Sequence, residues 1–404
     1  MRKIELHRSI SYLKDIMDRF YPIGADEKGG VTRLAYTEEE DLMHIELCRI
    51  GKEEGFLVQT DEVGNTFLSL EDYDEYYLVG SHLDSVVNGG RYDGVLGVAI
   101  GVLLLKEIKK EGLSIPLKVV AFRCEESSNF MKSTLGSGFI TEGIREEDFN
   151  NLVSKIGVRL KDIFEDRGYN TSPEKIKGVK SYLELHIEQG RILENENIKI
   201  GIVDAIAGNI RLKVNIKGLA EHSGATPMNL RKDALCGASE IILGIEKIAQ
   251  GDFKGSAVAT VGVIDAYPGS VNVVPGEVEF SIDIRDRSNK SMEDLKLKIE
   301  DIINKVCNKR DLSFDIQFVS SSDAVVLDKE LNNRLSNIAT KLGIKHKIIS
   351  SGAGHDAMKF ANLTKTGMIF IPCKDGISHN PKEYAKVEDA VYGAMIILDY
   401  LKES

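Results

Sequence analysis

Short strand-like runs alternate with helix-like runs between residues 75 and 205, and this alternation limits the possible folds more than any other feature. Residues 76–80 form a β-branched and aromatic run that stops at a glycine. Residues 117–123 and 182–187 have the same character, and residues 94–111 have a helical pattern. Alternating strands and helices build layered α/β domains. We therefore predict an α/β fold whose mixed sheet is flanked by helices, with helical surface excursions over residues 142–180.

The pattern changes near Gly208 and returns after residue 320. In between, the order strand, helix, strand, strand, helix, strand predicts a ferredoxin-like unit. The later alternation predicts that the first domain is discontinuous, covering 1–207 and 320–404, and that 208–319 is an insert. The predicted strands of the insert are 211–217, 257–264, 277–285 and 313–319, and its predicted helices are 234–249 and 294–307.

Charge and cysteine usage exclude several classes of protein. The 52 basic and 63 acidic residues give a net charge of −11, which repels nucleic acid and anionic membranes. The longest apolar run, 95–105, is too short to span a bilayer. The five cysteines are scattered without a CxxC pair, which predicts reduced thiols in a cytoplasmic protein.

Acidic and imidazole side chains follow the predicted strands. His82 and Asp84 lie two positions apart, so they leave the same face of an extended chain. Histidine and carboxylate ligands suit zinc and similar divalent ions. A turn histidine or a solvated carboxylate pair is the competing interpretation of each motif taken alone. Taken together, five of these side chains would give each of two metal ions two terminal ligands, with Asp93 as the ligand that both ions share. The five are His82, Asp93, Glu126, His186 and His379.

Six motifs occur in one order along the chain. They are Gly80-Ser-His-Leu-Asp-Ser85, Gly89-Gly-Arg-Tyr-Asp-Gly94, Glu125-Glu126, Leu185-His-Ile-Glu-Gln-Gly190, Ala220-Glu-His-Ser-Gly-Ala-Thr-Pro-Met228 and Ser378-His-Asn-Pro381. With these motifs the chain resembles the hydantoinase/carbamoylase branch of the aminoacylase and carboxypeptidase metallo-amidohydrolases. That branch includes N-carbamoyl-L-amino acid hydrolases, allantoate and ureidoglycolate amidohydrolases and β-ureidopropionases. The likeness extends from about residue 32 to the C-terminal helix.

The resemblance implies roles for the clustered side chains. One metal would be held by Asp93, Glu126 and His379, and the other by His82, Asp93 and His186. Glu125 would be the general base. Asp84 would orient His82 through its imidazole, as carboxylates do beside metal-binding histidines. Zinc or manganese is the expected metal, and cobalt or nickel also suits these ligands.

The resemblance also implies substrate contacts. In the insert, His222 would reach the partner subunit's site, and Asn272 and Arg285 would hold the substrate carboxylate. A guanidinium offers a planar fork for such a carboxylate, although a salt bridge to a neighbouring aspartate is the alternative for Arg285. Gln189 would bind the ureido group. Ser351 and His355 are further candidates, with a structural cap as the alternative for His355.

Two segments depart from the family pattern, at three positions in all. The family usually has Gly and Arg where this chain has Ser127 and Asn129, and a proline where it has Arg191. Neither change removes a metal ligand or the base. Both segments are expected near the pocket, so they bear on the choice of substrate.

These features predict a metal-dependent hydrolase that cleaves the ureido bond of an N-carbamoyl-L-amino acid or a related ureido acid. It would act as a cytoplasmic homodimer joined through the insert, which would also serve as a lid. Allantoate or ureidoglycolate hydrolysis, and deacylation or dipeptide cleavage on the same scaffold, are the enzymatic alternatives. A non-catalytic metal-binding scaffold is the remaining one.

Overall fold

The computed structural model describes residues 3–253 and 257–404. The chain divides into two compact units, residues 1–204 with 327–404, and residues 205–326. The sequence placed these boundaries at 207/208 and 319/320. The second boundary lies later because the last long strand of the insert continues to Ser322.

The first unit contains most of the helices and one mixed sheet. Its N-terminal part has α1 (Lys3–Phe20), α2 (Glu38–Glu53), β1 (Leu57–Thr60), β2 (Thr66–Ser69), β3 (Tyr76–His82), α3 (Val95–Glu111), β4 (Leu117–Phe122), α4 (Leu135–Thr141), α5 (Glu146–Asn151), α6 (Leu160–Arg167), β5 (Val179–Ile187), α7 (Ile192–Asn195) and β6 (Ile200–Ile206). The second unit has β7 (Gly208–Lys217), β8 (Glu221–His222), α8 (Ala234–Asp252), β9 (Val258–Thr260), β10 (Ile264–Tyr267), β11 (Val273–Val274), β12 (Glu277–Asp286), α9 (Asn289–Arg310), β13 (Ser313–Ser322) and β14 (Val325–Val326). The first unit then resumes with α10 (Lys329–Lys341), β15 (His346–Ser351), α11 (Ala357–Phe360), β16 (Lys365–Ile371) and α12 (Val387–Lys402).

The centre of the first sheet consists of four parallel strands in the order β4-β3-β5-β16. Strands β1 and β2 extend it antiparallel on one side, and β6 on the other. Because parallel neighbours end at the same edge, the residues after β3, β4, β5 and β16 meet there. This edge is where ligands bind in open α/β sheets.

Helix α3 lies against β3 and β5 and is packed on its outer side by α1 and α12. Its side chains from Val95 to Leu105 are buried throughout, as expected for an apolar run covered on all sides. The predicted surface excursion over 142–180 is wrong in part. Phe149 and Phe164 are buried and pack against Phe139 with ring centroids 5.2–5.9 Å apart.

The second unit is an antiparallel sheet in the order β10-β12-β7-β13, with β9 also pairing with β12. Helices α8 and α9 cover one face, and the alternating burial of β12 follows from this one-sided cover. The predicted strand over 257–264 is divided into β9 and β10. The lid and dimerisation roles of this unit stay predictions.

Candidate metal centre

Five buried side chains and one more exposed imidazole converge at the carboxyl edge of the four parallel strands. His82 is the last residue of β3, His186 lies near the end of β5, and His379 follows β16. Only His379 is substantially exposed, with 47% of its side chain accessible. The buried group consists of His82, Asp93, Glu125, Glu126 and His186.

The two oxygens of Asp93 face imidazoles on opposite sides. Oδ1 lies 3.0 Å from His186 Nε2 and 3.5 Å from His82 Nε2. Oδ2 lies 3.3 Å from His379 Nε2, which is also 3.0 Å from Glu126 Oε1. Within residues 3–253 and 257–404, three groups of side chains have ligand atoms close enough together to hold a metal ion, and two of these groups share Asp93. The third group consists of Glu184, His186 and His355. The family resemblance implies the same two sets that share Asp93, and their role as metal ligands stays a prediction.

The hydrogen-bonding state of the imidazoles fits a cation. His186 Nδ1 lies 2.9 Å from the carbonyl oxygen of Ile187, and His82 Nδ1 lies 3.1 Å from that of Asp84. An imidazole nitrogen that donates to a carbonyl leaves the other nitrogen as a lone-pair acceptor. The Nε2 lone pairs of His82 and His186 then face the carboxylate of Asp93. A cation placed between the imidazoles and the carboxylate would interact favourably with all three groups.

The surroundings of these imidazoles favour a positive charge, carried either by a proton on the ring or by a cation that takes the place of the proton. Burial lowers the pKa of His82, but contacts with Asp84 and Asp93 outweigh this and raise the pKa well above its usual value. The hydrogen bonds with Asp93 and Glu126 raise the pKa of His379 to about 11. Such strongly negative surroundings attract divalent cations.

Glu125 lies beside this cluster, with Oε2 3.8 Å from His82 Nε2. Burial raises its pKa well above the usual value, against the lowering effect of the His82 charge, and the neighbouring Glu126 adds to the increase. A carboxylate with a raised pKa is suited to take up and return a proton near neutral pH. Glu126, its neighbour, points instead to His379.

Asp84 holds the turn that carries both glutamates. Its Oδ1 accepts the backbone N–H of Glu125 and its Oδ2 that of Glu126, each at 3.0 Å. The same carboxylate approaches His82 Nδ1 at 3.4 Å. Asp84 therefore contacts the backbone of Glu125, the expected general base, as well as the His82 ring that it was expected to orient.

Two positioning carboxylates were missed by the sequence analysis. Glu40 on α2 accepts the N–H of Cys124 at 3.1 Å and pairs with Arg123 at 2.8 Å. Glu383 accepts the N–H groups of Tyr92 and Asp93 at 2.9 and 3.1 Å. For Glu40 a signal existed, since it lies on the buried stripe of α2.

Backbone conformation also marks this edge of the sheet. Cys124, Gln189 and His379 have φ values of +55°, +57° and +54°. Non-glycine residues in this region are uncommon and tend to occur at functional sites. Gly94, at φ +66°, directly precedes α3, and a Cβ added there would overlap the His82 ring.

Gln189 lies at the cluster, where its Nε2 donates to Asp93 Oδ2 at 2.7 Å. Ser351 and His355 are buried and hydrogen-bonded to each other at 2.9 Å. The His355 ring packs edge-on against His186, with centroids 4.6 Å apart. The helix after them has only four residues, so it adds too few peptide dipoles to form an anion site at its N-terminus.

The remaining predicted residues belong to the second unit. Strands β8 and β11 bring His222 next to Val273, so Asn272 is its neighbour. The Nδ1 atom of His222 accepts the N–H of Gly224 at 3.1 Å, which leaves Nε2 as the donor of this exposed ring. Arg285 forms two 3.2 Å contacts with Asp283 and lines a cavity of about 660 Å³ on the sheet. The salt bridge expected as the alternative for Arg285 is therefore present.

Asn129 and Arg191, two of the three departures from the family pattern, have structural partners. Asn129 donates to the carbonyl oxygen of Ala35 at 2.8 Å and accepts the N–H of Lys155 at 3.3 Å. Arg191 is exposed and donates to the carbonyl oxygen of Asp375. Both side chains are thus engaged in loop contacts.

Comparison with known proteins agrees with this site. The model of peptidase family M20/M25/M40 matches residues 78–403. An N-carbamoyl-L-amino-acid amidohydrolase of Pseudomonas sp. (strain NS671) is 37% identical over 393 residues, covering 93% of this chain and 94% of the relative. An allantoate amidohydrolase of Bacillus subtilis (strain 168) is 33% identical over 413 residues, covering 99% of this chain and 98% of the relative. A solved amidase of the hydantoinase/carbamoylase family from Burkholderia multivorans superposes with a TM-score of 0.90 at 32% identity, covering 97% of each chain. The chain belongs to peptidase family M20/M25/M40, a family of metal-dependent hydrolases, and to its hydantoinase/carbamoylase branch.

Proposed function

We propose that this chain hydrolyses the ureido C–N bond of an N-carbamoyl-L-amino acid, giving the amino acid, carbon dioxide and ammonia. The observation that carries the proposal is the position of Asp93, whose two oxygens face imidazoles of two different ligand groups. The names of the amidohydrolase relatives support the ureido class of substrate.

Two divalent ions, zinc or manganese, are the proposed cofactors. His82 and His186 would hold one ion, Glu126 and His379 the other, and Asp93 both. Ions of this kind polarise a carbonyl oxygen and make water more acidic at neutral pH. The mixed imidazole and carboxylate set is compatible with both metals.

Glu125 is the proposed general base. It would take the proton of the attacking water and return it to the nitrogen that leaves as the C–N bond breaks. Its position beside His82 and its raised pKa support this role. Asp84 would keep Glu125 in place through the backbone hydrogen bond.

Gln189 is the proposed contact for the ureido group. Within residues 3–253 and 257–404, its buried Oε1 has no hydrogen-bond partner. A ureido NH₂ group would supply the missing donor, and the alternative is a costly buried acceptor. We propose Ser351 and His355 only as supports for His186, which their packing favours.

For the substrate carboxylate we propose Arg285, Asn272 and His222. A guanidinium that already holds Asp283 in a two-point contact has the geometry to hold a substrate carboxylate instead. Residues 205–326 would then act as a lid and as the surface of a homodimer. A cytoplasmic location accords with the free state of all five cysteines.

The test is ammonia release from N-carbamoyl-L-amino acids, allantoate and β-ureidopropionate after zinc or manganese is restored to metal-stripped protein. Metal-dependent release from the N-carbamoyl-L-amino acids is the expected result. Release from allantoate alone would assign the chain to the activity named for the Bacillus subtilis relative. Parallel assays with N-acetyl amino acids and dipeptides cover deacylation and peptide cleavage, and silence in all assays with metal bound would contradict an enzymatic function.

A further inference from the structure

We propose that Glu383 is a positioning residue that sets the affinity of both metal sites by holding Asp93. The inference deepens the proposed function and rests on it, because Asp93 is the ligand that the two ions would share. Nothing in the motif pattern indicated Glu383, which lies four positions after His379.

Glu383 is 4% exposed, and one of its oxygens accepts two consecutive backbone N–H groups. Oε1 lies 2.9 Å from the nitrogen of Tyr92 and 3.1 Å from that of Asp93. These contacts fix the backbone from which the Asp93 side chain leaves. A ligand held in this way loses less freedom when it binds a cation, so affinity rises.

The second oxygen reaches Asp93 through a serine. Ser378 Oγ lies 3.0 Å from Glu383 Oε2 and 2.8 Å from Asp93 Oδ2. The hydroxyl has one hydrogen and can donate to only one of them at a time. Ser378 directly precedes His379, so one short segment supplies a ligand and orients the shared carboxylate.

The sequence of the Asp93 loop is adapted to this contact. An added Cβ at Gly90 would overlap the side-chain carboxylate of Glu383. Glycine at this position therefore lets the loop approach Glu383 closely. Because any side chain at position 90 would occupy the space of the Glu383 carboxylate, we infer that the contact between the loop and Glu383 is specific.

These hydrogen bonds predict different outcomes for Glu383→Gln and Glu383→Ala. In Glu383→Gln, the amide oxygen still accepts both N–H groups and the NH₂ group donates to Ser378 Oγ. Ser378 then gives its hydrogen to Asp93, so every contact is kept. In Glu383→Ala, two buried N–H groups lose their acceptor and Ser378 loses one neighbour.

The experiment measures the affinity of metal-stripped protein for Zn²⁺ alone, by competition with a chelating indicator. We expect a 10–100-fold weaker affinity for Glu383→Ala, the usual effect of losing a partner behind a metal ligand, and affinity within about threefold of wild type for Glu383→Gln. Gly90→Ala should weaken binding as Glu383→Ala does. Gly262→Ala, where an added Cβ meets no atom within 4 Å, is its control.

Asp286→Ala controls for the loss of any buried carboxylate, since Asp286 is 2% exposed and accepts a backbone N–H and a serine hydroxyl in the other unit. Its Zn²⁺ affinity should match wild type. Equal affinity in folded Glu383→Ala and wild type would overturn the inference, as would an equal loss in Glu383→Ala and Glu383→Gln. If wild type binds no Zn²⁺, the proposed function itself fails. Melting temperatures of the stripped proteins identify the folded variants, and Gly90→Ala provides the test if Glu383→Ala does not fold.

Discussion

Asp84 holds the backbone of Glu125, because its Oδ1 accepts the N–H of Glu125 at 3.0 Å while its Oδ2 accepts that of the next residue. Both oxygens are therefore occupied. In Asp84→Asn the side-chain NH₂ group replaces one of these two oxygens, so a donor faces a backbone N–H and one hydrogen bond to the turn is lost. We expect kcat/KM for the ureido substrate to fall 10–100-fold. Asp328→Asn, at a helix cap with a single backbone contact, is the control that should leave kcat/KM unchanged.

Removing the carboxylate of Glu125, the proposed general base, should stop turnover without releasing metal. Glu125→Gln keeps the size of the side chain but cannot take up a proton, so kcat should fall about 10²–10⁴-fold. Metal content, measured on the same sample, should equal that of wild type. Glu142→Gln, which alters an exposed pair with Lys359, serves as the matched change. Near-normal kcat in Glu125→Gln would contradict the assignment.

The ion pair of Glu40 and Arg123 should support the fold of the turn after β4. Both side chains are buried, and the guanidinium of Arg123 also contacts Asp41. Arg123→Met leaves Glu40 buried without its cation and should cost about 3–5 kcal/mol in the free energy of unfolding. Urea denaturation of Arg123→Met, Glu40→Gln and the double variant measures the coupling. A loss of less than about 1 kcal/mol would place the pair among the weak surface bridges.

Stability should depend on pH through His44. Burial lowers the pKa of His44 well below its usual value, while the unfolded chain titrates near 6.5. Below about pH 6.5 the unfolded state binds a proton that the folded state excludes, so stability falls as pH falls and is fully present above this pH. His44→Gln should lessen that slope by up to about 1.4 kcal/mol per pH unit. The exposed His7→Gln is the control, and an unchanged slope in His44→Gln would refute the prediction.

Metal removal should destabilise the first unit. An ion present at 100 times its Kd stabilises a protein that binds it only when folded by about 2.7 kcal/mol. Urea denaturation with and without a chelator measures this difference. His379→Ala should show a smaller one, since it removes a ligand of one group. Equal stability with and without chelator would argue that the folded chain does not bind the metal.

The sequence predicted the strands and the residues at their ends because both signals are local. A β-branched run such as the one before Gly80 identifies a strand, although β3 continues two residues beyond the glycine, to His82. Parallel pairing then follows from the alternation with helices. The same local logic failed for Phe149 and Phe164, whose burial depends on contacts between distant aromatic rings.

The positioning carboxylates were not predicted because they act over long sequence distances. Glu40 stands in the acidic run Glu38-Glu39-Glu40-Asp41, which looks like a solvated first turn of a helix. Glu40 differs from the other acidic residues of this run only in that its helical spacing from the buried Met43 and Leu47 puts it on the same face of α2. Glu383 has no such periodic context. Its role depends on the backbone of Asp93, which no local pattern connects to it.

The discontinuity of the first unit also sets an order of events during synthesis. Ser378 and Asp93 are 285 positions apart, and the whole of 205–326 is translated between β5 and β16. Strands β3, β4 and β5 leave the ribosome early and bring Asp93, Glu125 and Glu126 together before His379 exists. Domains tend to fold as they emerge, N-terminal part first. A nascent chain would therefore hold this cluster of acidic groups while His379, a ligand in the second proposed metal group, is still untranslated.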